Sequence, residues 1–277
     1  MFCRCFRMCI SLFLHIVNAV EIRDNFLVQR RDSMGRLSLS AIQKITAIFW
    51  MLAYGLPADA TDEYIKIRES TIIETLKRFF RVVVEEFADE YLRSPNATDV
   101  ARLLRIGKYR GIPGMLGSLD CMHWKWKNCP TAWARQCTGR SGSPTIILEA
   151  VADYDMWIWH AYIGLLGTNN EINVLEASHL FANLTQGIAP LAHYVIQGKE
   201  YNMGYYLADG IYPKWSTLVQ IIHDPRGQKN KLFAMKQEGC RKDVEHAFGV
   251  LQSRFAIVAG LMRFWQKHVL HDNRGWA

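Results

Sequence analysis

The chain has 277 residues, of which 50% are hydrophobic and 21% are charged. This composition is typical of a globular chain with a buried core, and it excludes collagen-like, low-complexity and intrinsically disordered classes. The net charge of +7 is a mild indication of a polyanionic partner. Seven cysteines without a CxxC pair argue against a secreted disulfide framework, and no apolar run has the length of a transmembrane helix.

The amino-terminal segment has two interpretations. Two arginines precede an apolar stretch, Cys9 to Val20, as they do in a short signal peptide. The alternative is an amphipathic helix with Leu12, Ile16 and Ala19 on one face. We favour the helix because the cysteine pattern gives no support for secretion.

The region 1–94 is predicted to be all-α and similar to a helix-turn-helix. A capping box at Ser40 starts a helix that Gly55 ends. A short helix begins near Thr61, and a second capping box opens a longer helix over residues 71–87. The outline of a short helix, a turn and a longer helix is that of a DNA-binding motif.

The longer helix carries Lys77, Arg78 and Arg81, which are candidate DNA contacts. The alternative is an ordinary helical bundle with a basic stripe in solvent.

Residues 95–113 are predicted to link two domains, because proline and glycine breaks at both ends enclose only a short helix. Beyond them the order of elements predicts an α/β domain with a mixed sheet flanked by helices, residues 114–266. The predicted strands are 115–120, 145–152, 156–163 and 205–208, and the predicted helices are 171–181, 214–222 and 241–255.

Three acidic residues stand out within this domain. Asp120 ends one predicted strand, and Asp209 ends another, directly before Gly210. Glu245 lies beside the apolar stripe of a helix that has to face the sheet, whereas Asp243 is expected on a solvated face. Taken singly, each acid is more often a turn residue or a solvated residue.

Strand ends from adjacent strands bring their carboxylates together, where they repel one another unless protonated or bridged by cations. Hard oxygen ligands suit Mg²⁺ or Mn²⁺, and two such ions can support phosphodiester cleavage. The segment with Lys125 and Lys127 and the segment with Arg241 and Lys242 are rich in basic residues. These four side chains are further candidate DNA contacts, since the DNA backbone is polyanionic.

Four segments resemble the plant branch of the PIF/Harbinger transposases, a family that includes the Harbinger transposase-derived nucleases. They are GMLGSLDCMHW around Asp120, GTNNEINVL around Asn173, YNMGYYLADGIYP around Asp209 and RKDVEHAFGVLQSRF around Glu245. The resemblance runs from about residue 11 to about residue 266, and it removes the signal-peptide interpretation.

The resemblance implies an RNase H-like endonuclease domain over residues 114–266 with a DDE triad. Asp120, Asp209 and Glu245 would then be the catalytic residues and the ligands of Mg²⁺ or Mn²⁺. It also implies a nuclear protein that acts on double-stranded DNA at transposon ends, with a separate Myb-like DNA-binding partner and no membrane. A homo-oligomer is compatible with it.

The chain departs from the family pattern at three positions outside the triad. Lys125 stands where the family usually has Glu, Glu171 replaces a usual Asp, and His246 replaces a usual Arg. The family continues past Trp265, so the tail 267–277 is expected to be truncated. Two alternatives to an active nuclease follow: a catalytically silent DNA- or protein-binding factor derived from a transposase, and a decayed copy.

Overall fold

The computed structural model describes residues 2–139, 142–178, 180, 191–222 and 224–260. The described residues form two compact units. The helical unit comprises residues 2–91, 124–128 and 251–260, and the sheet unit comprises residues 92–123 and the described part of 129–250. One strand and one helix of the sheet unit end in residues that are counted in the helical unit, 124–125 and 251–254. The tail 267–277 lies outside the described residues. Within the described part, no helix combines the length and apolarity that a membrane crossing needs.

The amino-terminal apolar stretch is a helix of the helical unit, as expected. Its buried face consists of Phe13, Val17 and Val20, however, and Leu12 is exposed. The prediction is therefore wrong for Leu12, whereas Ile16 packs half-buried against the core. The centre of the buried face is shifted by one residue, where the ring of Phe13 packs against Phe49 with 5.7 Å between the ring centroids. The helices of this unit are α1 (Phe2–Phe6), α2 (Ile10–Arg23), α3 (Ala41–Tyr54), α4 (Ala60–Ile65) and α5 (Glu69–Tyr91), with α10 (Ala256–Ala259) near the end of the chain.

Local capping signals locate one helix of this unit well and another less well. The capping box of Ser40 and Gln43 starts α3, and Gly55 ends it with a left-handed φ of 64°, which glycine adopts without strain. The second predicted capping box is wrong, since α5 begins at Glu69. The carbonyl of Arg68 accepts hydrogen bonds from Thr71 and from the residue after it, so Thr71 already lies in the first turn.

The sheet unit contains a five-stranded mixed sheet in the order β3-β2-β1-β6-β7 and a separate hairpin of β4 and β5. Strand β6 is parallel to β1 and to β7, and β2 is antiparallel to β3. The strands are β1 (Met115–Lys125), β2 (Thr145–Ala152), β3 (Ile158–Leu166), β4 (Leu191–Ile196), β5 (Lys199–Met203), β6 (Tyr205–Ala208) and β7 (Leu218–Gln220). The helices are α6 (Ala97–Arg110), α7 (Thr131–Cys137), α8 (Glu171–Ala177) and α9 (Gln228–Arg254).

The α/β class and the mixed sheet flanked by helices are thus confirmed, and the predicted bounds of β2 and β6 match the structure. The helix predicted over residues 214–222 is wrong, because this segment contains β7. Leu218 and Val219 pair with β6, and Leu218 is buried. A short apolar run carries little local preference of its own, so sheet pairing decides its conformation.

Helices cover both faces of the sheet because side chains alternate along its strands. Tyr206 and Ala208 share a core with Val100 of α6. Leu207, which lies between them on β6, shares another core with Cys240 of α9. Helix α9 therefore lies on the opposite face from α6.

Candidate active site

Asp120 on β1 and Asp209, directly after the neighbouring parallel strand β6, lie level with each other. The last paired residues of the two strands are Ser118 on β1 and Leu207 on β6, and each aspartate follows two residues later. Strand β1 continues to Lys125, so the expectation that Asp120 ends its strand is wrong. Asp120 instead lies just beyond the stretch that pairs with β6, which brings both acids to the same edge of this strand pair.

Backbone hydrogen bonds fix the orientation of both aspartates. Oδ1 of Asp120 accepts from the N–H of Cys121 at 2.7 Å, and Oδ1 of Asp209 accepts from the N–H of Ile211 at 2.8 Å. Each carboxylate thus keeps its second oxygen for other contacts. In Asp120 this oxygen, Oδ2, lies 3.5 Å from the guanidinium of Arg241.

Helix α9 supplies Glu245, and polar contacts fix this helix to the sheet. The buried hydroxyl of Ser118 on β1 accepts a hydrogen bond from the N–H of Val244 at 3.0 Å. The buried side chain of Gln237 donates to the carbonyl of Val219 on β7 at 3.3 Å. Ser118 lies two residues from Asp120 and Val244 precedes Glu245, so the first contact couples the positions of the two acids. Sequence reasoning missed Ser118, because no local pattern marks a serine that bonds to a distant helix.

Asp243 is a second tether of α9, and its predicted exposure to solvent is wrong. Its side chain is 6% exposed and forms an ion pair with Arg110 at the end of α6, with 3.0 Å between Nη2 and Oδ1. Arg110 also lies over the ring of Tyr154. Helical periodicity places Asp243 away from the apolar stripe, but the side chain of Arg110, at the end of α6, reaches it.

Arg241 connects the acids of the strands with the acid of the helix. Its Nη2 lies 2.8 Å from Oε1 of Glu245, one turn further along α9, and its Nη1 lies 3.5 Å from Oδ2 of Asp120. Glu238 provides a third partner at 3.3 Å. Burial disfavours the charged guanidinium and lowers the pKa of Arg241. This effect is outweighed by the hydrogen bond and charge of Glu238 and by the charges of Glu245 and Asp120, so the pKa of Arg241 is raised overall.

A fourth carboxylate, Glu171, belongs to the same cluster. It occupies the first position of α8 after Asn170, whose side chain caps the helix. Burial and the charges of Asp209 and Asp120 raise the pKa of Glu171 to about 7. Its Oε2 is buried without a hydrogen-bond partner among the described residues. In the sequence, the replacement of the usual Asp of the family by Glu171 drew attention to this residue. That replacement alone did not predict that Glu171 belongs to the site.

The cluster carries more negative charge than Arg241 neutralises. Burial raises the pKa of Asp120, and the charges of Glu245 and Asp209 raise it further. The hydrogen bond from the N–H of Cys121 and the charge of Arg241 lower this pKa, but by less. Mutual repulsion of carboxylates is relieved by protons or by cations. The chemistry of the donors, all of them carboxylate oxygens, fits a hard divalent ion such as Mg²⁺ or Mn²⁺.

The side chains of the described residues do not form a ready-made metal site. Among them, no group of three Asp, Glu, His or Cys side chains has the geometry to hold an ion. At the cluster, Arg241 lies between Asp120 and Glu245, where their oxygens would have to converge on a metal. A metal at this position therefore requires the guanidinium to move.

The raised pKa of Glu171 predicts a pH dependence of stability without metal. Because its pKa rises from an ordinary 4.5 to about 7 on folding, the native state binds the proton more tightly than the unfolded state does. We expect the contribution of protonated Glu171 to the free energy of unfolding to be lost as the pH rises from 4.5 to about 7. The substitution Glu171→Gln should make the free energy of unfolding less dependent on pH over this range. Urea unfolding in EDTA at about pH 5 and about pH 7.5 measures the effect. Glu176→Gln, an exposed change on the same helix, is the control, and equal slopes for Glu171→Gln and wild type would contradict the prediction.

The remaining candidate DNA contacts lie outside this cluster. Arg78 is paired with Glu74 at 2.7 Å and with Asp24 at 3.3 Å, and it lies over the ring of Phe26. Its side chain is therefore engaged within the helical unit. Lys77 is half-buried, and the other four candidates are exposed: Arg81, Lys125, Lys127 and Lys242.

The fold and the cluster define a mixed α/β protein in which acidic side chains gather beyond the paired ends of two parallel strands. Residues 89–274 match the family model described as plant transposon protein. The chain therefore belongs to the plant transposon protein family, which agrees with its resemblance to PIF/Harbinger transposases. Comparisons with curated proteins and with solved structures returned no match.

Proposed function

We propose that this chain is a transposase-derived DNA endonuclease with a DDE triad of Asp120, Asp209 and Glu245 in an RNase H-like domain. The observation that carries the proposal is that a single guanidinium, that of Arg241, contacts both Asp120 and Glu245. Asp209, directly after β6, stands level with Asp120 on the adjacent strand β1 and supports it. Residues from β1, β6 and α9 thus supply acids to one place. Acids that only face solvent or form turns are not expected to share one cation, as Asp120 and Glu245 do across a long separation in the sequence.

The oxygens of the triad that are free of backbone hydrogen bonds would hold the divalent ions. Mg²⁺ or Mn²⁺ would supply activation of the attacking water and stabilisation of the leaving oxygen. The chain itself orients the carboxylates through the N–H groups of Cys121 and Ile211, and it holds Glu245 in register through Ser118. Such preorganisation lowers the cost of reorganising charge during the reaction.

Double-stranded DNA at transposon ends is the proposed substrate, in the nucleus, with a Myb-like protein as the proposed partner. The net charge of +7 favours a polyanion. Lys77 and Arg81 lie four residues apart on α5, so they share one face of this helix. Lys125, Lys127 and Lys242 present exposed cations and complete the proposed set of contacts.

Nicking of supercoiled plasmid tests the proposal. We expect purified protein to nick the plasmid in Mn²⁺ and not in EDTA, and we expect Asp120→Ala to be inactive. Circular dichroism and gel filtration would show that the variant is folded. Equal nicking by both proteins would point to a contaminating nuclease. The absence of nicking by folded wild-type protein would contradict the proposal and favour a catalytically silent binding factor.

A further inference from the structure

Arg241 is the cation that the carboxylate cluster already contains. Its side chain is only 14% exposed, and it contacts three carboxylates. Two belong to Asp120 and Glu245 of the proposed triad, and the third belongs to Glu238, one turn earlier on α9. A metal ion that used oxygens of both triad residues would have to enter the space between them.

Glu238 could hold the guanidinium of Arg241 if a metal ion displaced it from Asp120 and Glu245. Glu238 is 40% exposed and belongs to the same helix, so it stays within reach whatever happens to the strands. Its two oxygens already contact Nε and Nη2 of Arg241, at 3.5 and 3.3 Å. A rotation of the long side chain about its own bonds would keep the pair with Glu238 and release Asp120 and Glu245.

We propose that Arg241 is a positioning residue that acts as a built-in counter-cation: it holds Asp120 and Glu245 together, and a divalent metal displaces it towards Glu238. The inference rests on the proposed function for the identity of the metal-binding acids. In the metal-free protein the guanidinium stabilises a cluster that would otherwise repel itself. It also competes with the metal, since both cations need the same oxygens.

The test is the affinity of the whole chain for Mn²⁺ alone, measured by isothermal titration calorimetry. We expect Arg241→Gln to bind Mn²⁺ about tenfold more tightly than wild type, because no pre-existing ion pair has to break. In EDTA the same variant should melt at a lower temperature than wild type, and Mn²⁺ should raise its melting temperature by more. Lys242→Gln is the matched control, as it removes the same charge from an exposed neighbour.

A second variant tests the displaced position of the guanidinium. Glu238→Gln removes the carboxylate that would retain Arg241, so we expect it to weaken Mn²⁺ binding about threefold. This change lies at a partly exposed position and leaves the triad intact. An affinity of Arg241→Gln equal to or weaker than that of wild type would overturn the inference, and so would a tighter Glu238→Gln.

The outcome separates this inference from the proposed nuclease. Tighter Mn²⁺ binding by Arg241→Gln without plasmid nicking by any protein would support the counter-cation role of Arg241 and contradict the proposed nuclease function. Nicking by wild type with an unchanged Mn²⁺ affinity of Arg241→Gln would support the nuclease function and contradict the counter-cation role. If neither wild type nor Arg241→Gln binds Mn²⁺, both proposals are wrong.

Discussion

Asp209→Asn is expected to lower the rate of plasmid nicking by about 1000-fold or more while making the metal-free protein no less stable. The amide can still accept a hydrogen bond from the N–H of Ile211, so the local turn is retained. The charge that is lost, however, is one that raises the pKa of both Asp120 and Glu171. Its removal relieves repulsion in the cluster, so the melting temperature in EDTA should stay equal or rise.

Initial nicking rates in Mn²⁺ and thermal unfolding in EDTA, measured on the same preparation, check both halves of this prediction. Asp224→Asn serves as the control, because Asp224 is an exposed acid of the same unit whose ion pair with Arg226 lies at the surface. A nicking rate of Asp209→Asn within about tenfold of wild type would remove this residue from the triad. A large loss of stability would show that Asp209 has a structural role.

Asp243→Ala is expected to destabilise the fold by about 3 kcal/mol, the largest loss of stability that we predict. The substitution leaves Arg110 largely buried without its carboxylate partner, and an uncompensated buried charge is far more costly than a lost surface ion pair. It also removes one link between α6 and α9, and the hydrogen bond from Lys236 to the carbonyl of Arg110 remains. Urea unfolding at neutral pH measures the change as a shift in midpoint at constant slope.

Two further variants serve as controls for the loss of stability in Asp243→Ala. Lys242→Ala changes the exposed neighbour of Asp243 and should alter stability by less than about 0.5 kcal/mol. The double variant Arg110→Met with Asp243→Leu removes both charges, and it should recover much of the loss, because apolar replacement of a buried pair is often neutral. A loss below about 1 kcal/mol for Asp243→Ala would mean that solvent reaches Arg110.

Features with a local cause were predictable from the sequence. The capping box at Ser40 and the left-handed glycine at residue 55 concern contacts between residues that are close in the chain, and both are present. The strand bounds of β2 and β6 follow from short apolar runs between turn residues, and they match as well. Placing Asp209 directly after its strand required no knowledge of the rest of the molecule.

Features with a distant cause were missed or misplaced. Residues 214–222 carry little local preference of their own, and hydrogen bonds to β6 make β7 of part of this segment. Glu171 lies far from Asp120 and Asp209 in the chain, and only the fold brings their charges together. Asp243 is buried and paired with Arg110, which is far from it in the chain.

The sequence by itself determined the plant transposon protein family, the α/β class and the three acids proposed as the triad. Each of these follows from residue types in order along the chain. Only the tertiary structure decided that Arg241 lies between Asp120 and Glu245, and that Glu171 joins them. The physical reason is that charge interactions depend on distance in space and on burial, and folding sets both independently of separation along the chain.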